Sequence, residues 1–463
     1  SCQLKQAVAA AHEAKLEAYV DNVKNEPLVP KLPKKGKITK EQKSDFGYTC
    51  WTLSNGARVF FKQTDFNNSE VQFEALSFGG KSRTADADRV NVELLPSVMA
   101  STGLGNFSST ELQKKMAGKQ ASVSANLGQA TETLSGQSTP KDLRTLFELI
   151  YLRFQTPAND VDAYNNFINL LRTQLENVEK NPQAAFRDSV NATIYGHNPR
   201  MANIHMKDLK DADYNTIRRI YSERFNAGGD FDFYFTGAFD LDSLRAFTEQ
   251  YIAPLKAQKK RETYDASKIS APVSGIHDNH FRRTMETPQA NIIQFWNGPL
   301  AYNVKNAVVA NALGEVLTQR YLKSIREDAG IAYSVGANGS AQFGTRESYN
   351  IQIYCPVKPA KLDSALLLMK QGLEDVATKG VTAEELEKVV TFELKDFADS
   401  QKKNEYWMSL ITSKIAWNKD EQTGYENALK ALKPADVQAF ARDVVLKQMN
   451  RCTISMLPAD FTE

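Results

Sequence analysis

Apolar and polar residues alternate through CWTLSNGARVFFKQ, residues 50–63, on both sides of Asn55-Gly56. Two alternating runs joined by Asn-Gly are the strongest short hairpin signal, because both residues tolerate the positive φ that a tight turn demands. A third alternating run, Glu70 to Phe78 (EVQFEALSF), ends at Gly79-Gly80 and predicts another strand. The period then lengthens to that of a helix over Val90–Thr102 and Thr110–Gly118. Strands are predicted at Ala121–Leu127 and Ala130–Gln137, and Thr139-Pro140 then opens a helix. Lys141–Phe154, Asp160–Lys180 and Pro182–Ala192 carry helical spacing, Tyr214–Phe225 predicts a helix closed by Asn226, and Phe231–Thr236 a strand closed by Gly237.

The order then recurs. Strands are predicted around Phe281–Glu286 and Ile292–Trp296, then a long helix over Asn303–Ile325 and strands at Ala332–Ala341 and Ser348–Val357. Helices follow at Lys361–Thr378, Ala383–Asn404 and Pro434–Val445, and the last strand is Cys452–Met456. The two endings correspond most closely: DYNTIRRIYSERF…DFDFYFTGAFD in the first half and ADVQAFARDVVLKQ…NRCTISMLPADF in the second. Each is a helix, a short turn, an apolar strand and an acidic tail, and they lie roughly 220 residues apart, far longer than a solenoid unit, which implies a duplicated domain. The predicted fold class is α+β: two tandem homologous domains, each a mostly antiparallel sheet with helices on one face. The expected boundaries are an N-terminal helix and basic linker over 1–47, a first domain over 48–257, a linker over 258–274 and a second domain over 275–463. Residues 1–22 read as an amphipathic helix, and the Pro- and Lys-rich stretch after it as an extended, solvated tether.

Composition narrows the function. Lys+Arg 57 against Asp+Glu 55 leaves a formal net charge of +2, without the basic excess of a nucleic-acid binder. Hydrophobic residues, at 42%, suffice for ordinary cores, and no apolar run reaches the ~20 residues of a membrane span. The N-terminal helix lacks the basic start and continuous apolar stretch of a secretory signal. Cys2, Cys50, Cys355 and Cys452 are far apart and show no C-x-x-C spacing, which argues against a zinc knuckle, and Cys355 and Cys452, in apolar strand-like runs, read as small buried hydrophobes. The expected compartment is the periplasm or cell envelope.

LSNGARVFFK, the SFGG strand end, the two-helix run and DFDFYFTGAFDLDSLRAFTEQYIAPL resemble one domain of the pitrilysin/insulinase metallopeptidases from front to back. Residues 275–463, containing IREDAGIAYSVGA, resemble that family's partner domain. The likeness covers roughly residues 45–460 and implies the metallohydrolase fold of the mitochondrial-processing-peptidase type. Full-length members contain four such domains, two per half, closing like a clamshell around a peptide. The tether at 1–47 resembles the linker between their halves, which gives the expectation of a processed product or a truncated chain.

Catalysis in that family needs H-x-x-E-H, in which two His four residues apart on one helix bind zinc and the Glu activates a zinc-bound water. Aligned on Gly103 of MASTG, the motif falls on Leu94-Leu95-Pro96-Ser97-Val98, and the family's later Glu ligand falls near Gln174. Glu176 and Glu179 lie close by and read as a solvated helix face. The histidines His12, His197, His205, His277 and His280 form no zinc motif; His277-Asp278-Asn279-His280 is the one cluster, expected in a loop ahead of a strand. The resemblance therefore implies no catalytic residue and no metal ligand in this chain, with zinc in a partner catalytic half. It also implies a substrate-binding pair: active members carry R-x-x-x-x-x-x-Y in the partner domain, and Arg326 and Tyr333 fit within IREDAGIAYSVG. Arg326 is expected to end a helix and Tyr333 to begin a strand. A Tyr hydroxyl can donate to a developing oxyanion, and a guanidinium can hold peptide carbonyls. The expected function is the non-catalytic, substrate-binding half of a zinc metallopeptidase. Its partners are an H-x-x-E-H half and a peptide substrate, with no nucleic acid and no membrane span. The alternative is a catalytically dead binding or scaffold subunit of the same fold.

Overall fold

The structure, a computed structural model, describes residues 5–11, 24–258 and 260–463. Residues 5–11 are helical, and the rest of the N-terminal helix expected over 1–22 lies outside the described residues apart from them. The chain forms two compact units, residues 1–172 with 207–265, and residues 173–206 with 266–463.

The first unit holds a seven-stranded sheet built from β1 (Ile38–Lys43), β2 (Thr49–Leu53), β3 (Arg58–Gln63), β4 (Val71–Phe78), β5 (Ala121–Leu127), β6 (Thr131–Ser138) and β7 (Asp232–Gly237). Its order is β1-β2-β3-β7-β4-β6-β5. The second unit holds β8 (Ile276–Arg283), β9 (Ala290–Pro299), β10 (Gly336–Gln342), β11 (Ser348–Val357) and β12 (Arg451–Pro458), in the order β10-β11-β9-β12-β8. Read from the other edge, the second sheet repeats β3-β7-β4-β6-β5 strand for strand. In both, the strand that closes the domain pairs parallel with the first strand of the set, β7 with β3 and β12 with β8, while the remaining pairs are antiparallel. The duplication inferred from the two endings is thus a shared topology.

Local chemistry explains the elements. The predicted hairpin forms between β2 and β3: Gly56 takes φ +93°, and its N–H donates to the Leu53 carbonyl at 3.0 Å. Asn55 is buried, and its amide donates to the Ile252 and Leu255 carbonyls, which ties the turn to the end of the unit. The fully buried run of β7 sits mid-sheet and stacks Phe235 on Phe147 of the helix Leu143–Arg153 at a centroid distance of 4.9 Å. In the second unit the helix Val304–Tyr321 lies directly on β10. Small residues allow that approach: a Cβ on Gly339 would stand 2.0 Å from the Ala310 carbonyl oxygen, and one on Gly314 would stand 2.4 Å from the Gly339 nitrogen.

Several elements depart from the sequence reading. Residues 38–43, read as solvated tether, form the edge strand β1, whose Glu41 accepts from the Trp51 indole N–H at 2.6 Å. Its polar, Lys-bearing sequence suits an edge with one open side. The second linker is laid along the first unit as far as Asp265: Arg261 donates to the Gly56 carbonyl, Glu262 N–H to the Asp230 carboxylate and Asp265 N–H to Ser82 Oγ. The helix Pro182–Ile194 packs in the second unit, on β12, β8 and β9. There Phe186 and Ile194 meet Phe295, Cys452, Ile454 and Met456. The alternate residues Ala290, Ile292 and Trp296 of β9 turn instead to the main core under Val304–Tyr321. This sheet therefore carries a helix on its second face as well as its main helical layer. The helices Leu241–Phe247, Asn404–Trp417 and Tyr425–Ala431 were not anticipated. No helix among the described residues is long and apolar enough to cross a membrane.

Candidate functional site

The positions that align with the zinc motif lie in the helix Arg89–Ser101, where Leu94, Leu95 and Val98 are buried in the core. Apolar side chains turned inward offer neither a metal ligand nor a general base. Gln174 is exposed on the helix Val161–Glu179, as are Glu176 and Glu179, and Glu179 accepts from the Met206 N–H at 3.1 Å. Among the described residues no group of three or more His, Cys, Asp and Glu side chains is arranged to hold a metal ion.

The histidine cluster does not lie in a loop. His277 and His280 both belong to β8, whose start precedes the predicted one. Being three residues apart on a strand, they project to opposite faces. His277 donates from Nε2 to the Ser274 carbonyl at 2.6 Å, and His280 shares a hydrogen bond with the Ser455 hydroxyl. His12 lies outside the described residues.

Arg326 and Tyr333 lie on the segment between the helix Val304–Tyr321 and β10. The helix does not stop at Tyr321 but runs on through a widened turn, Leu322–Asp328, in which Ala329 N–H reaches back five residues to the Ser324 carbonyl. Arg326 sits in that turn, about half exposed, with one ion pair to Glu327 at 3.6 Å. An exposed pair of this kind contributes little and leaves the guanidinium available. The chain then re-enters the core: Ile331 N–H donates to the Ile325 carbonyl, and Ala332 bridges Val357 of β11. Ile331, Ala332 and Val335 are buried, while Tyr333 between them is 72% exposed. A large aromatic side chain held out by a backbone anchored on both sides is an unusual use of surface. No hydrogen bond links Arg326 to Tyr333 directly among the described residues; the fold places both on one eight-residue stretch that buried residues, Ile325 before it and Val335 after it, hold in place.

The neighbouring strands complete the picture. Ile351, Ile353, Cys355 and Val357 of β11 face the core, whereas Gln352 and Tyr354 are exposed. Tyr354 pairs across from Gly336 of β10, is 44% exposed, and its hydroxyl donates to Asn291 Oδ1 at 3.4 Å. Sequence reasoning did not single out Tyr354, although the alternation of NIQIYCPV already put it on the polar side of its strand.

Residues 211–392 match the peptidase M16 inactive domain, a span that contains both Arg326 and Tyr333. Over that span the chain is similar to the M16 (pitrilysin/insulinase) peptidases. It is similar to the probable zinc protease PqqL of Escherichia coli K12, at 22% identity over 460 residues, covering 96% of this chain and 48% of PqqL. The chain spans less than half the length of the curated relatives it matches. The crystal structure of the periplasmic protease PqqL from Escherichia coli superposes with a TM-score of 0.78 and 19% identity, over 94% of this chain and 48% of that one. The first half of PqqL, solved alone, superposes less well, with a TM-score of 0.69 and 13% identity over 90% of this chain and 93% of that one. At these identities the superpositions establish the M16 fold of this chain.

Proposed function

We propose that this M16 chain is the substrate-binding half of a zinc metallopeptidase that degrades or processes peptides. It acts with an H-x-x-E-H half that is either a separate chain or a preceding part of the same polypeptide. The observation that carries the reading is the presentation of Arg326 and Tyr333: both exposed, on a segment whose flanking residues are fixed in the core. The resemblance to about half of PqqL supports the partnership, and that relative's periplasmic location supports the cell envelope as the compartment. Zinc in the other half would supply the Lewis acid and the activated water. Tyr333 would donate its hydroxyl proton in a hydrogen bond to the scissile carbonyl oxygen as that oxygen gains charge, an interaction that strengthens toward the transition state. Arg326 would hold peptide carbonyls with its planar fork of donors.

The test is reconstitution. The isolated chain, assayed with an internally quenched peptide, should show no hydrolysis and no stoichiometric zinc by elemental analysis. Adding an H-x-x-E-H half should raise hydrolysis above that half's own rate. One tight zinc per isolated chain, or no gain on mixing while the two halves associate, would overturn the reading, the latter leaving a scaffold.

A further inference from the structure

Tyr354 stands on the face of β10 and β11 that turns away from the helix Val304–Tyr321. Strand alternation sets this: Ile351, Ile353, Cys355 and Val357 belong to the core, so Asn350, Gln352 and Tyr354 point the other way. Ala332 also belongs to that core and bridges Val357, and the next residue, Tyr333, is exposed at the edge of the same strands. Three residues after Tyr333 comes Gly336, directly across from Tyr354, and a Cβ there would meet nothing within 4 Å. Beyond it lie two more cross-strand rows, Asn338 beside Gln352, and Ser340 beside Asn350, the last pair joined at 3.2 Å. The strands β9, β10 and β11 contain no Asp, Glu, Lys or Arg. The face therefore combines the exposed Tyr354 ring, a ladder of neutral amides and hydroxyls and an open glycine floor, three residues along the chain from the exposed Tyr333. The strands lack the cations that binding to a phosphate backbone or an anionic headgroup draws on. The face fits an extended, uncharged peptide segment, whose side chains pack on the ring and whose amides match Asn, Gln and Ser.

We propose that Tyr354, across the open floor of Gly336, is a second peptide contact and a specificity-determining residue, accepting an apolar or aromatic side chain next to the segment held by Arg326 and Tyr333. The inference rests on the substrate-binding reading above and names the substrate class of that same site. The ring of Tyr354 provides the contact, and its hydroxyl, which donates to Asn291 Oδ1 at 3.4 Å, is not needed for it. An aromatic contact of this kind is worth about three- to tenfold in affinity.

The experiment uses the chain together with its H-x-x-E-H half and one decapeptide series in which a single position carries Phe, Leu, Gly, Glu or Lys. The wild-type pair should prefer Phe and Leu over Glu and Lys in kcat/KM. Tyr354→Ala should flatten that preference by about three- to tenfold, and Tyr354→Phe should keep it. Gly336→Val is the decisive variant, since its side chain enters space that no protein atom occupies and should leave thermal stability unchanged. It should nonetheless weaken the Phe and Leu peptides selectively. A series that responds to Arg326→Ala and Tyr333→Phe but not to Tyr354→Ala or Gly336→Val overturns this inference alone. A series that ignores all four variants overturns the substrate-binding reading with it. Variants at Tyr354 or Gly336 that impair association with the other half by ultracentrifugation, with peptide preference intact, assign the face to that interface and overturn the inference.

Discussion

Glu315 and Glu393 take hydrogen bonds from one and the same nitrogen, the Asn311 amide, at 3.0 and 3.1 Å. Glu315 lies on the helix Val304–Tyr321 and Glu393 on the helix Ala383–Ser400, so the shared amide brings two carboxyl groups together between helices. Burial, and next the charge of Glu393 beside it, push the Glu315 carboxyl from 4.5 up to about 8, and Asp396 adds to the rise. Tyr425 closes the group with its hydroxyl 3.5 Å from Glu393.

The pH dependence follows from linkage. The folded chain keeps a proton on Glu315 that the unfolded chain releases above its ordinary value of 4.5. Stability therefore falls as pH rises from 4.5 toward about 8 and then levels off. Replacing the acid with its neutral isostere removes that term, so Glu315→Gln should raise the melting temperature at pH 9 more than at pH 5. Equal shifts at both pH values would refute the raised Glu315 carboxyl.

Tyr333→Phe, assayed in the reconstituted peptidase, should lower kcat by about 10²–10³, the usual cost of losing one oxyanion donor. Peptide affinity should change less. Arg326→Ala should raise KM as well, since it holds the peptide before and during reaction. Both side chains are solvent-exposed, so melting temperatures should stay within error of wild type. A silent Tyr333→Phe would remove the residue from the chemistry.

Phe186, 2% exposed, ties the helix Pro182–Ile194 to the second face of the five-stranded sheet. Phe186→Ala should cost about 3–5 kcal/mol. Hydrogen exchange should locate the loosening in β8, β9 and β12, which this helix covers. Loosening confined to residues 182–194 would mean that the contact does not support the sheet.

Gly339→Val tests the contact of helix and strand. Its first added carbon would lie 2.0 Å from the Ala310 carbonyl oxygen, and backbone cannot yield as a flexible side chain can. A loss of about 3 kcal/mol is expected, at the upper end for overpacking. Gly336→Val, three residues away on the same strand, should cost little by comparison, because its space is open.

Local information settled a definite part of this protein. The Asn55-Gly56 turn, the period-2 and period-3.6 runs and the matched helix–strand endings are short-range features, written in consecutive residues. So are the absence of H-x-x-E-H and the spacing of Arg326 and Tyr333. The remainder depends on partners distant in the chain. The polar run Ile38–Lys43 is a strand only because β2 offers it an edge, and Pro182–Ile194 reads as a helix without indicating which sheet it will cover. His277 and His280 became strand residues because β12 pairs parallel with β8 over residues 276–283. Tyr354 was legible as outward-facing, but its companions were not: Gly336 lies opposite it only through the register of β10 on β11, and Tyr333 is held at the surface between Ala332, which bridges Val357, and the buried Val335. Periodicity along a chain says which way a side chain faces; pairing between segments, set by which edges and faces remain unfilled, decides what it faces.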